Sequence, residues 1–68
     1  MQKTMKEWRK ERKLTQRELS EKTGINFDSI VRYDNQTRIP PVTRGLTIAA
    51  VLEVDPYDIK WEKAEVTE

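Results

Sequence analysis

Residues 15–33, Thr15-Gln16-Arg17-Glu18-Leu19-Ser20-Glu21-Lys22-Thr23-Gly24-Ile25-Asn26-Phe27-Asp28-Ser29-Ile30-Val31-Arg32-Tyr33, read as two short helices joined by one tight turn. Thr15 and Glu18 have the spacing of a capping box: the hydroxyl accepts from the amide of Glu18, and the carboxylate reaches back to the amide of Thr15. Leu19 and Thr23 then share one helical face. Ser20 is small enough for a second helix to cross closely above it. Gly24 supplies the positive φ that ends a helix without a Cβ clash. Ile25 becomes the buried residue of the turn, and Asn26 caps the next helix. Ile30 and Tyr33, three apart, face inward on that helix. Phe27, Asp28, Val31 and Arg32 are left facing outward.

Three more helices are predicted around this pair, giving an all-α, five-helix bundle. Thr4 and Glu7 form a second capping box and open helix one, which runs to about Arg12 with Met5 and Trp8 inward and Leu14 closing the corner. Helices two and three span about 16–23 and 27–34, and Asn35 to Pro40 is a loop. Pro41 fits the first turn of helix four, which runs to about Leu52. Val42, Leu46, Ala49 and Leu52 form its expected inner face, with Ile48 nearby. Asp55-Pro56 is an N-cap followed by a proline at N1, so a short helix five starts there. Ile59-Lys60-Trp61-Glu62-Lys63 alternates apolar and charged residues, the period of an extended tail.

Sixty-eight residues make one domain, 1–68, with a core of about 4–59 and a tail over 60–68. Such a chain buries only about 60% of its unfolded surface, so the core is small. It has no cysteine and no histidine, which removes disulfides, thiolate and imidazole metal sites and the usual nucleophiles and bases. With no Gly-rich phosphate loop either, an enzyme is not expected, and neither is a metal or cofactor. No apolar run approaches the roughly 20 residues of a membrane span, and the N-terminus lacks a signal-peptide core. A reducing cytoplasm is the natural setting. The net charge of +1 conceals an asymmetry: residues 1–38 carry +4 and residues 39–68 carry −3. The half holding the helix pair is the basic one.

The chain resembles the Xre family of helix-turn-helix proteins, which includes phage Cro proteins and lambda-type repressors. The resemblance runs from about Met5 to Ile59. It rests on Arg9, Leu14, Gln16, Glu18, Leu19, Gly24, Ile25, Ile30, Arg32, Asp34, Asn35, Pro40, Ile48, Ala49, Leu52 and Val54. It implies sequence-specific binding of double-stranded DNA, with helix three in the major groove. Phe27, Asp28 and Arg32 are then the base readers. Arg32 pairs with guanine O6/N7, or alternatively holds a phosphate or stays in solvent. Phe27 packs on a thymine methyl, or acts as a hydrophobic staple or a protein contact. Asp28 accepts from a cytosine amino group, or orients Arg32 one turn later, which is the preferred role.

Further implied contacts go to the DNA backbone. The resemblance places Gln16 on a phosphate at the N-terminus of helix two, where free amides favour an anion; a solvated glutamine is the alternative. Arg17, Ser29, Asn35 and Arg38 are further phosphate contacts, Thr37 and Thr43 are weaker candidates, and Lys10 and Lys13 add diffuse attraction. An Arg in helix one paired with an acid at the end of helix three is also implied, here Arg9 with Asp34. Two departures stand out. Gln36 occupies the position after Asn35 where the family usually has Gly, so either Asn35 turns left-handed or the helix ends differently. Gly45 stands where a large apolar residue is usual, which predicts a close backbone approach or thinner packing.

One domain of this size reads only a few base pairs, so a homodimer on a two-fold symmetric operator is expected. The interface falls to Val54, Tyr57 and Trp61. An exposed Trp61 marks an interface; alternatively it folds back onto its own helix five. A repressor is the leading role. The competing class is an antitoxin or anti-repressor acting through protein contacts.

Overall fold

The computed structural model describes residues 2–62. The remainder of the expected tail, 63–68, lies outside the described residues. A two-residue strand, β1 (Lys3–Thr4), leads into α1 (Met5–Glu11). The Thr4 hydroxyl accepts from the Glu7 amide at 3.1 Å and Glu7 accepts from the Thr4 amide at 2.8 Å, so the capping box that starts this helix is complete. The next elements are α2 (Gln16–Thr23), α3 (Phe27–Asp34) and α4 (Val42–Leu52).

All four helices stop the same way, on one residue with positive φ: Lys13, Gly24, Gln36 and Glu53. At three of them the amide of that residue and the amide after it turn back onto the helix. Lys13 and Leu14 donate to the carbonyls of Lys10 and Arg9, Gln36 and Thr37 to Tyr33 and Arg32, and Glu53 and Val54 to Ala50 and Ala49. This is the Schellman pattern, usually built on glycine. Here only Gly24 is a glycine, so Lys13, Gln36 and Glu53 carry left-handed strain of about 1–2 kcal/mol each. Asn35 stays at φ −87°. The missing glycine is therefore met by Gln36 itself turning left-handed.

The expected fifth α-helix is a three-residue 3-10 turn, Pro56–Asp58, so the bundle has four α-helices among the described residues. Asp55 caps the turn, accepting from the Tyr57 amide at 2.9 Å. The turn cannot lengthen because Ile59 must enter the core, where it is 2% exposed. At Ile59 the chain becomes extended and forms β2 (Ile59–Lys60), which pairs in parallel with β1. The strand-like period of the tail is thus realised at its start. Trp8 donates its indole N–H to the Asp58 carbonyl at 2.9 Å, and Arg12 donates to the carbonyls of Leu52 and Glu53. Lys3 also donates to Glu11, and that hydrogen bond holds the Glu11 carboxyl below its ordinary range. The strand pairing and the Trp8 and Arg12 contacts tie the N-terminal elements to the C-terminal ones.

Met5, Leu19, Ile25, Ile30, Tyr33, Ile48, Ala49, Leu52 and Ile59 form the core, with Trp8, Leu14, Val51, Val54 and Trp61 packed around it. The inner face of α4 differs from expectation. Gly45, Ile48, Ala49 and Leu52 are buried, whereas Val42 and Leu46 are 77% and 53% exposed. The cause lies at Gly45. A Cβ built there would lie 3.6 Å from Trp61 Cζ2. The indole therefore covers the glycine, and the buried stripe runs through 45, 48, 49 and 52, an ordinary i, i+3, i+4, i+7 helical face.

Candidate nucleic-acid interface

The turn between α2 and α3 is fixed by short polar side chains. Thr15 caps α2 through a complete capping box with Glu18, at 3.0 and 2.8 Å. The Ser20 hydroxyl donates to the Ile25 carbonyl at 2.6 Å, and Thr23 donates to Leu19 at 2.7 Å while accepting from the Ile25 amide at 3.2 Å. Asn26 then caps α3, accepting from the Asp28 amide at 2.8 Å. Gly24 and Ile25 carry the change of direction, with Ile25 buried. These bonds are local in sequence, and with Leu19, Ile25 and Ile30 packed beneath them they set the angle between the two helices.

Helix α3 divides cleanly by exposure. Ile30, Tyr33 and Asp34 are buried, whereas Phe27, Asp28 and Arg32 are exposed. Ser29 and Val31 are half-buried. The Arg32 guanidinium lies 4.0 Å from the Asp28 carboxylate, one turn earlier. Both side chains are well exposed, so this contact orients more than it stabilises. The Phe27 ring lies under the Arg17 guanidinium of α2, 5.0 Å from its centroid. Arg17 therefore sits beside the N-terminus of α3 as well as in the first turn of its own helix.

Behind this rim lies a buried ionic group. Arg9 of α1 holds Asp34 with two N–H donors, Nε to Oδ1 at 3.0 Å and Nη2 to Oδ2 at 3.1 Å. The Asp34 side chain is wholly buried and that of Arg9 is 10% exposed. A third Arg9 donor reaches the Leu14 carbonyl at 2.7 Å. Gln16, the first residue of α2, completes the group by donating Nε2–H to Asp34 Oδ2 at 3.0 Å. Three helices thus meet at one carboxylate.

Around the end of α3 the structure adds contacts that sequence spacing does not reveal. Lys6 donates to Asn35 Oδ1 at 3.2 Å, Arg44 to the Tyr33 hydroxyl at 2.9 Å, and Gln36 Nε2 to the Lys60 carbonyl at 3.1 Å. Each joins residues more than ten positions apart, so no local pattern signals them. Arg38 and Thr37 are exposed in the loop beyond α3.

Three further residues, Val54, Tyr57 and Trp61, do not share one surface. Val54 is half-buried against the core. Tyr57 is 84% exposed, and Trp61 is half-buried over Gly45. Tyr57 and Trp61 do line the same open groove of about 440 Å³, together with Ile39, Val42 and Leu46. All three added residues are more than half exposed. The groove thus brings several exposed apolar side chains together along one side of the domain.

A family model described as helix-turn-helix matches residues 5–59. The comparisons with curated proteins and with solved structures gave no match.

Proposed function

This chain belongs to the Xre-like helix-turn-helix family, whose domain is that of a DNA-binding regulator and is generally non-enzymatic, and we propose that it is a repressor that binds a two-fold symmetric operator as a homodimer. The observation that carries the reading is the split of α3: an outer rim of Phe27, Asp28 and Arg32 over a buried face of Ile30, Tyr33 and Asp34. A helix held rigidly by its inner face, with long polar and aromatic groups outward, suits insertion into a major groove. Arg32 reads a guanine, Asp28 steers Arg32, and Phe27, backed by Arg17, meets a pyrimidine methyl. Gln16, Arg17, Ser29, Asn35 and Arg38 hold phosphates and set register. The +4 charge of residues 1–38, the half that holds α2 and α3, favours a polyanionic partner.

The second copy docks on the groove formed by Ile39, Val42, Leu46, Tyr57 and Trp61. Val54, half-buried against the core, does not line this groove. A two-fold operator requires the two copies to present their rims about 34–36 Å apart, one helical turn of DNA. A protein without cysteine suits a reducing cytoplasm. No helix among the described residues is long and apolar enough to cross a membrane.

The same groove favours one other reading, a module that acts mainly by gripping another protein. Binding of duplex DNA over a salt series separates the two. The DNA reading expects affinity that falls steeply with salt and a loss of about 1–3 kcal/mol of specific binding in Arg32→Ala. The protein-contact reading expects neither.

A further inference from the structure

We propose that Asp34 is a positioning residue for DNA binding: neutralised by Arg9, it holds the Gln16 carboxamide in the orientation that offers its second N–H to a phosphate. The inference rests on Gln16 as a phosphate ligand, proposed above, and adds what fixes Gln16 in place.

A free glutamine at the first position of a helix has several rotamers and two amide orientations. Here both freedoms are removed. Gln16 Nε2 donates to Asp34 Oδ2 at 3.0 Å, which settles which end of the amide faces the protein. One N–H is spent on this bond and the other is left over, on the first residue of α2. Thr15 caps only the Glu18 amide, so the amides of Gln16 and Arg17 have no partner within their helix. The side-chain N–H and these two amides are all donors at one helix N-terminus, a setting that favours a phosphate.

Asp34 can do this only because of Arg9. A lone carboxylate near a phosphate would repel it. The two-pronged contact from Arg9 cancels that charge, and the 0% exposure of the Asp34 side chain keeps water from competing for it. The carboxylate strengthens the Gln16 bond because an ionised acceptor binds an N–H more tightly than a neutral one. Helix α1, which contributes none of the proposed base readers, thereby takes part in presenting the DNA-facing surface.

The sign of one substitution tests the idea. Asp34→Asn raises the net charge from +1 to +2. If Asp34 acts only through charge, the variant binds DNA more tightly. If Asp34 positions Gln16, the variant binds more weakly despite the gained charge. Wild type, Gln16→Ala, Asp34→Asn and the double variant are titrated by fluorescence anisotropy against one short labelled duplex of mixed sequence at low ionic strength, with folding of each checked by thermal melts. The expected result is a loss of about two- to tenfold, the worth of one hydrogen bond, for each single variant. The double variant is expected to lose no more than Gln16→Ala alone. Tighter or unchanged binding of Asp34→Asn, or independent losses that multiply in the double variant, overturns the proposal.

The wild-type protein also carries a direct readout. Nitrogen-edited NMR is expected to show the two Gln16 side-chain amide protons at separated, hydrogen-bonded shifts with backbone-like order. Random-coil shifts with free side-chain motion overturn the proposal, and this measurement decides if Asp34→Asn does not fold. Wild type that ignores the duplex altogether is a different failure, because it removes the DNA-binding reading itself.

Discussion

Replacing Arg9 with Ala is expected to cost about 3–5 kcal/mol of folding stability. The magnitude follows from what the substitution leaves behind. Asp34 has no exposed side-chain surface, and its two oxygens accept three hydrogen bonds, two from Arg9 and one from Gln16. Truncation at Arg9 removes two of the three donors and the counter-charge that Arg9 supplies. It also takes the 2.7 Å donor from the Leu14 carbonyl. The carboxylate must then be protonated, dragged into water, or kept charged with one neutral partner. A domain of 68 residues has about 3–10 kcal/mol of stability in total. The loss therefore takes a third of the stability at least, and up to all of it. In thermal and urea melts followed by circular dichroism, the midpoint should fall by at least about 12 °C. Pairing Arg9→Met with Asp34→Leu should restore most of the loss, because an apolar replacement of a buried ion pair leaves no unpaired charge. A loss under about 1 kcal/mol in Arg9→Ala, the value of a surface pair, would refute the reasoning. So would a double variant as unstable as the single one, which would assign the cost to packing.

Three other outcomes follow from particular positions. Glu53→Gly should stabilise the fold by about 0.5–1 kcal/mol in urea titrations, because Glu53 has φ 61° and glycine removes the left-handed strain at a smaller entropic cost; a destabilised variant would contradict this. Gly45→Ala should gain up to about 1 kcal/mol of helix propensity, since the added Cβ would meet Trp61 at an ordinary 3.6 Å, whereas Gly45→Leu should displace the indole and red-shift tryptophan emission. Leu46→Glu, at a position 53% exposed, should leave the melting temperature within a few degrees of wild type but shift sedimentation from dimer to monomer; an unshifted dimer would move the interface elsewhere.

What the sequence made legible was local. Thr4 with Glu7, Thr15 with Glu18, Gly24, Asn26 and Asp55 each act within a few residues of themselves, and every one caps or ends an element where spacing places it. The pairing of Arg9 with Asp34 came from the family resemblance, since nothing in the spacing of residues 25 apart announces it. Three features were illegible for the same reason. Gln36 in place of glycine leaves open a left-handed Asn35 or a different helix end; the helix ends differently, with Gln36 itself taking the left-handed turn and reaching Lys60 across the fold. The 3-10 turn at Pro56–Asp58 is cut short by the demand that Ile59 enter the core and pair with Lys3. The face of α4 was misplaced because apolar residues also occur at Val42 and Leu46, and only the three-dimensional approach of Trp61 to Gly45 shows which stripe is covered.

The helical wheel of residues 27–34 turns Val31 outward as well, though it is half-buried, and makes Phe27, Asp28 and Arg32 legible among the candidate DNA-facing residues. Their supports were not. Arg17 over Phe27, Lys6 on Asn35 and Gln16 on Asp34 are contacts between helices. Such contacts depend on crossing angles that periodicity does not encode.

The central claim is that the outer rim of α3 reads base edges. Selection of bound sequences from a random duplex pool, run in parallel with wild type and Arg32→Ala, tests it most directly. The account predicts a two-fold symmetric consensus for wild type, with one guanine per half-site whose preference disappears in Arg32→Ala while the rest of the consensus survives. Identical consensus sequences for the two proteins, or no enrichment by wild type at low ionic strength, would contradict it.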